Sequence, residues 1–245
     1  MSQPLPLTCD VDRAFPTSLV RLHGSLTSAV AARARAALLN CLAHQPASLL
    51  IDVGRLVDVD GDGARILLEV GRRNAQWPGA SLIVYPVTPH RAEQLRRAGV
   101  GRYARLCDSE SEALTRAESE PTPLRADHQL PPGVEAAARA RTAVAHTCQR
   151  WGVPHAISTA QVVASELVNN AMRSGGGPLD LTITHRDNTL VLAVRDRDPR
   201  PPRQWAPWTD ADEAGGGLLL LDAFAARWGT LPTDAGKTVW ATVPV

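Results

Sequence analysis

The stretch from Glu118 to Gly133 constrains the fold of this chain most. There Pro121, Pro123, Pro131 and Pro132, with polar neighbours, interrupt the hydrophobic periodicity found on both sides. It reads as a linker (118–133) between a first domain at residues 1–117 and a second at 134–245. The 245 residues suffice for two ordinary domains, and 44% hydrophobic with 21% charged residues is the balance of packed cores rather than of a disordered chain. Before the break, strand-like and helix-like stretches alternate: Leu19 to Leu26, Ala29 to Ala43, Ser48 to Val53, Gly63 to Ala75, Ser81 to Pro86, then helices near His90 to Ala98 and Ser109 to Ala117. This order predicts one α/β domain with helices packed on a small sheet. After the break, helices at Val134 to Trp151 and Ser158 to Arg173 precede strands at Leu179 to His185 and Thr189 to Asp196. A Pro/Trp-rich loop (Pro199 to Glu213), a helix (Leu218 to Trp228) and a last strand (Thr238 to Val243) complete the domain. Helices first and strands later predict a sheet with helices on one face.

A formal net charge of +1, with acids and bases mixed along the chain, calls for neither nucleic acid nor an anionic membrane as partner. The first residues lack a basic segment followed by an apolar core, and no later run reaches the roughly 18 to 20 apolar residues of a membrane span. A cytoplasmic protein is expected. Cys9, Cys41, Cys107 and Cys148 are scattered without metal-ligand spacing, which suits reduced thiols. The basic residues are arginines with one exception, Lys237.

Four pieces of the second half carry candidate chemistry. In Ser165-Glu166-Leu167-Val168-Asn169-Asn170-Ala171, Glu166 and Asn170 stand at i and i+4, so a helix sets a carboxylate and a carboxamide on one face. The carboxylate can deprotonate an attacking hydroxyl and the amide oxygen suits Mg²⁺, although a solvated helix face has the same pattern. Asp196 ends an apolar strand in Val194-Arg195-Asp196-Arg197-Asp198-Pro199, where it can accept a hydrogen bond from an adenine amino group or simply form a turn. Gly215-Gly216-Gly217 before an apolar helix lets backbone amides approach a phosphate, or serves as a hinge. In Gly236-Lys237-Thr238-Val239-Trp240, Lys237 offers a point charge to a terminal phosphate, or is an exposed hairpin lysine.

Together, from about Ala137 to Val243 and including Ala140-Arg141, these pieces resemble the GHKL ATPase superfamily, and most closely the anti-sigma-factor serine kinases of Gram-positive bacteria. The resemblance implies a Bergerat-type α/β sandwich that binds ATP and Mg²⁺. It makes Glu166 the general base, Asn170 the Mg²⁺ ligand, Asp196 the adenine contact and Gly215 and Gly217 the phosphate-approach glycines. Thr238 becomes a phosphate or adenine-site contact, and Pro199 to Glu213 the nucleotide lid. Two positions depart from the pattern: Ser174 stands where a histidine is common, and Gly216 where arginine is frequent.

The first half, over about Ser18 to Ala117, resembles the STAS domain of anti-sigma-factor antagonists. The resemblance rests on Leu22-His23-Gly24-Ser25-Leu26, the strand Leu49 to Val53, the helix-opening Val57-Asp58-Val59-Asp60-Gly61-Asp62-Gly63, and Pro89 to Val100. The Asp-rich run is also like a calcium loop, but lacks the later glutamate and the preceding helix. In STAS antagonists a serine in the helix-opening motif is phosphorylated by the partner kinase. Here Asp62 occupies that phosphoacceptor position, a carboxylate with no hydroxyl and a candidate phosphate mimic.

What the two resemblances imply is a partner-switching regulator with antagonist and kinase in one chain. The expected function is an anti-sigma-factor-like serine/threonine kinase acting in trans on a separate STAS protein. Its expected partners are that protein, a sigma factor, its own STAS domain by intramolecular contact, and a second copy of the chain. The alternative is a catalytically weak or inactive nucleotide-binding scaffold that sequesters a sigma factor or STAS partner. A histidine kinase fragment fits less well, since no phosphoacceptor helix precedes the ATP domain.

Overall fold

The computed structural model describes residues 7–26, 28–57, 59–76, 79–175, 177–198 and 217–245. The chain divides into two compact units, residues 1–122 and 123–245, each with its own sheet.

The first unit has five strands: β1 (Thr8–Asp12), β2 (Thr17–Gly24), β3 (Ser48–Leu56), β4 (Ser81–Tyr85) and β5 (Ala104–Leu106), side by side in that order. β1 pairs antiparallel with β2, and β2 through β5 run parallel. Parallel neighbours need crossover connections, supplied by α1 (Ser28–Ala43), α2 (Ala64–Gln76) and α3 (Pro89–Arg97). The sheet is buried on both faces. α4 (Glu110–Ser119) sets Ala113 and Ala117 against Leu50, Ile83 and Tyr85, while Val20, Leu49, Ile51 and Val84, which alternate with these, are buried on the opposite face. α4 starts where Ser109 accepts the Glu112 N–H at 3.3 Å and Glu112 reaches back to the Asp108 N–H at 2.9 Å, closing the first turn from both ends.

The second unit is an antiparallel five-stranded sheet in the order β6 (Leu124–Leu130), β7 (Leu179–Arg186), β8 (Thr189–Asp196), β10 (Gly236–Pro244) and β9 (Arg227–Thr233). Asp187 and Asn188, both at positive φ, turn β7 into β8, the two-residue geometry that matches strand twist and that Asp and Asn tolerate. α5 (Ala136–Arg150), α6 (Ile157–Gly175) and α7 (Gly217–Phe224) share one face. Ala140, Val144 and Cys148 of α5, Val163, Leu167 and Ala171 of α6 and Leu221 of α7 pack with Leu181, Leu192, Val194, Val239 and Ala241 of the sheet. α5 stops where Gly152 takes a left-handed φ of 73°.

Four strands correct the sequence reading. The stretch read as linker contains β6, which pairs with β7 along Leu124–Leu130 and leaves only residues 120–123 between α4 and the second sheet. The helix expected to run to Trp228 ends at Phe224, and Arg227–Thr233 becomes β9. β1 and β5 were likewise not anticipated. All four are sheet edges.

Candidate functional site

α6 faces three ways. Its apolar stripe meets the sheet. Gln161 and Ser165 turn to α5, where the Gln161 amide donates to the Arg141 carbonyl at 3.1 Å and the Arg141 guanidinium donates to the Ser165 hydroxyl at 3.2 Å. At 100° per residue, Glu166, Asn170 and Arg173 then fall on the other flank, away from α5, where α7 packs against α6. The predicted acid and amide therefore do share a face, on the flank of α6 away from α5. Asn170 is buried and Glu166 half-buried. Desolvation pushes the Glu166 carboxyl above its ordinary range, against the opposing pull of the Arg173 charge. A carboxylate shifted this way is a better proton acceptor than a solvated one.

Asp196 ends β8 on the same side of the sheet as Val194 and Leu192, facing the helices. It is 4% exposed, and directly across from it in register, 2% exposed, lies Lys237. The ammonium is 2.9 Å from Asp196 Oδ2 and donates to the Asp198 carbonyl at 3.1 Å, while Asp196 Oδ1 accepts the Asp198 N–H at 2.9 Å. Lys237 is therefore neither the exposed hairpin residue nor the free phosphate-facing charge that the sequence suggested; its partner is Asp196.

Thr238 also departs from expectation. Strand alternation puts Lys237, Val239 and Ala241 on the helix-covered face and Thr238 on the other, across from Arg195, so it does not share a face with Asp196. Gly215 and the loop Pro199 to Glu213 lie outside the described residues, while Gly217 is the first residue of α7.

Gly236 is a residue whose role the sequence did not reveal. A Cβ there would collide with the Asp196 carbonyl oxygen and stand 2.7 Å from Arg197 Cα, so only glycine allows β10 to approach β8 where Asp196 and Lys237 meet. Gly236→Ala is expected to destabilise the second unit by about 1–3 kcal/mol through this overpacking. Scanning calorimetry would show it as a lower midpoint, and an unchanged midpoint would mean that the two strands can part freely.

In the first unit, Val59–Gly63 forms a π-helical turn that runs directly into α2. Asp62 thus lies within helical backbone, and its Oδ1 accepts from the Arg65 guanidinium at 2.7 Å. Its charge is balanced locally by one turn of its own helix.

At the metal and phosphate end, the residues fit a nucleotide: an amide and a carboxylate on one helix flank suit a magnesium triphosphate. Among the described residues no cluster of three His, Cys, Asp or Glu could hold a metal; Asn170 would hold Mg²⁺ together with the phosphates. The base end fits less well, since Lys237 already engages the Asp196 carboxylate.

An antiparallel sheet with helices on one face, following a small mixed-sheet domain along the chain, is consistent with an ATPase domain, and comparison with known proteins agrees. Residues 130–243 match the family model of the histidine kinase-like ATPase domain, and residues 9–108 match the model described as Mlab, STAS domain. The chain thus joins a STAS domain to a histidine kinase-like ATPase domain. One similar solved structure is an anti-sigma factor antagonist from Mycobacterium paratuberculosis, 20% identical with a TM-score of 0.40, covering 49% of this chain and 100% of its own. No curated protein matches the chain. Among the described residues, no helix is long and apolar enough to cross a membrane.

Proposed function

We propose that the protein is a regulator in a bacterial partner-switching system whose second domain binds ATP with Mg²⁺ and phosphorylates a serine or threonine of a separate STAS protein. The observation that carries this reading is the flank of α6 on which Glu166, with its carboxyl pushed up by burial, stands one turn from Asn170 beside α7. In this reading Glu166 takes the proton of the acceptor hydroxyl and Asn170 holds the metal. A sigma factor is the second proposed partner, and control of transcription in the cytoplasm the proposed setting. Incubating the full chain with γ-labelled ATP and a panel of serine-bearing STAS proteins tests it. Transfer to at least one is expected; transfer to none would leave the scaffold reading, in which the domain holds its partners without phosphorylating them. That second reading is favoured by one observation, the engagement of Asp196 by Lys237.

Asp62 separates the chain from its own kinase domain, because a carboxylate cannot accept a phosphoryl group as a stable ester. Asp62→Ser restores a hydroxyl and is expected to make the STAS domain a substrate. Label should appear on a peptide containing residue 62 and vanish when Glu166→Gln is added. An unlabelled Asp62→Ser protein, with the panel phosphorylated normally, would show that the surrounding π-helical turn and not the missing hydroxyl excludes the domain.

A further inference from the structure

β6 is an edge of the second sheet and the first element of the second unit, reached from α4 through residues 120–123. Strand alternation sets Ala126, His128 and Leu130 on the helix-covered face, beside Leu181 and Ile183 of β7. Ala126 and Leu130 are buried and His128 is half-buried, whereas Leu124, the other residue of that face, is exposed. An imidazole is thus the central member of the strip that seats this strand. Its Nε2 meets the hydroxyl of Thr147 on α5 at 3.5 Å, and Thr147 is itself 1% exposed. His146 precedes Thr147, and Arg150 stands one turn from His146 on the same flank of α5. From β7 this face receives only the uncharged Leu179, Leu181 and Ile183. The acid beside the ring is Asp127, whose side chain lies on the other face of the sheet. There Arg125 donates to it at 2.8 and 2.9 Å and Thr182 at 2.8 Å. A proton on His128 therefore sets a third cation beside two, while the adjacent carboxylate is already taken. Burial holds the His128 ring below its ordinary pKa; Asp127 pulls against this, and Arg150 and His146 add to it. The fold favours the neutral ring. Its contribution to stability is present above the unfolded-chain pKa and is lost as pH falls through the folded one.

We propose that His128 is an acid-sensitive latch: a proton on its ring releases β6 from α5 and β7, and the tether between the two units lengthens from residues 120–123 to residues 120–135. β6 is suited to this, since it pairs on one side only and buries just two apolar side chains, the traits of a segment that opens without the rest of its domain. β8 and β10 are paired on both sides and stay in place. Each freed residue adds up to about 3.3–3.6 Å of reach, so acid extends the span that the tether can bridge. The latch does not depend on whether the second domain transfers phosphate.

Hydrogen exchange of the full chain, read by mass spectrometry at about pH 7.5 and about pH 5 and corrected for the intrinsic rate, tests this on either side of the ordinary histidine range. Opening of β6 is expected to rise about fivefold or more at the lower pH, since one unit of pKa difference is worth up to tenfold. β8 should remain protected after β6 has exchanged. His128→Gln keeps an uncharged hydrogen-bonding side chain and should remove the rise. Equal opening of β6 at both pH values, a rise that persists in His128→Gln, or a β6 that opens only together with β8 would overturn the latch. Should His128→Gln leave β6 open throughout, the wild-type ring decides: followed by NMR, His128 should titrate below an ordinary histidine, and titration at or above that range would overturn the proposal.

Discussion

Glu166→Gln is expected to lower phosphoryl transfer by about 10²–10⁴-fold, the usual contribution of a positioned general base. The fold should survive, and the reason lies in the direction of the Glu166 shift. Burial raises the folded-state pKa above its value in the unfolded chain, so the protonated form is the one that folding favours. That contribution to stability is fully present below the unfolded pKa and is lost as pH rises through the folded pKa. At neutral pH the charged side chain is therefore held at a cost, which the neutral amide removes. Thermal melts at pH 7 should give Glu166→Gln a midpoint no lower than wild type, together with its loss of transfer. The acid limb of the wild-type pH–rate profile should lie above the ordinary carboxylate range. A variant that loses stability and transfer in parallel would instead make Glu166 a structural residue.

The largest stability effects are expected at the Asp196–Lys237 pair. Removing one partner of a buried ion pair strands the other, at about 3–5 kcal/mol, whereas replacing both with apolar groups of similar volume is commonly neutral or stabilising by about 1–4 kcal/mol. Asp196→Ala and Lys237→Met should each lower the urea midpoint of the second unit markedly. The double variant Asp196→Leu/Lys237→Met should recover most or all of the loss. Such a cycle has strong coupling, and its size measures how completely water is kept from the pair. Additive single effects would show that solvent reaches both charges, contrary to their 4% and 2% exposure.

Central strands were legible in the sequence because burial on one or both faces writes itself as apolar runs; Leu49 to Val53 and Leu190 to Val194 are examples. Edge strands carry no such signature. β1 reads Thr-Cys-Asp-Val-Asp, β5 has only three residues, β6 buries just Ala126 and Leu130 between prolines, and β9 contains Gly229 and Pro232. Polar residues, prolines and brevity are how edges avoid pairing with other chains, and they are also what hides an edge from periodicity. At the candidate site the same division applies. Glu166 and Asn170 were found together because helical spacing is local. The meeting of Asp196 with Lys237 depends on the register of β8 against β10, and so does the placement of Thr238 on the opposite face. Residue types alone could suggest that Lys237 bears on a phosphate; only the pairing of the two strands shows that it bears on a carboxylate.

The seclusion of Lys237 also makes the folded chain almost blind to amine chemistry. Acylating reagents, acetyltransferases and enzymes that attach protein tags to lysine have one side chain to act on, and its Nζ is buried against Asp196 in the folded second unit. Modification at that nitrogen therefore marks molecules in which β10 has come away from β8, and its rate is a clock for the opening of that sheet.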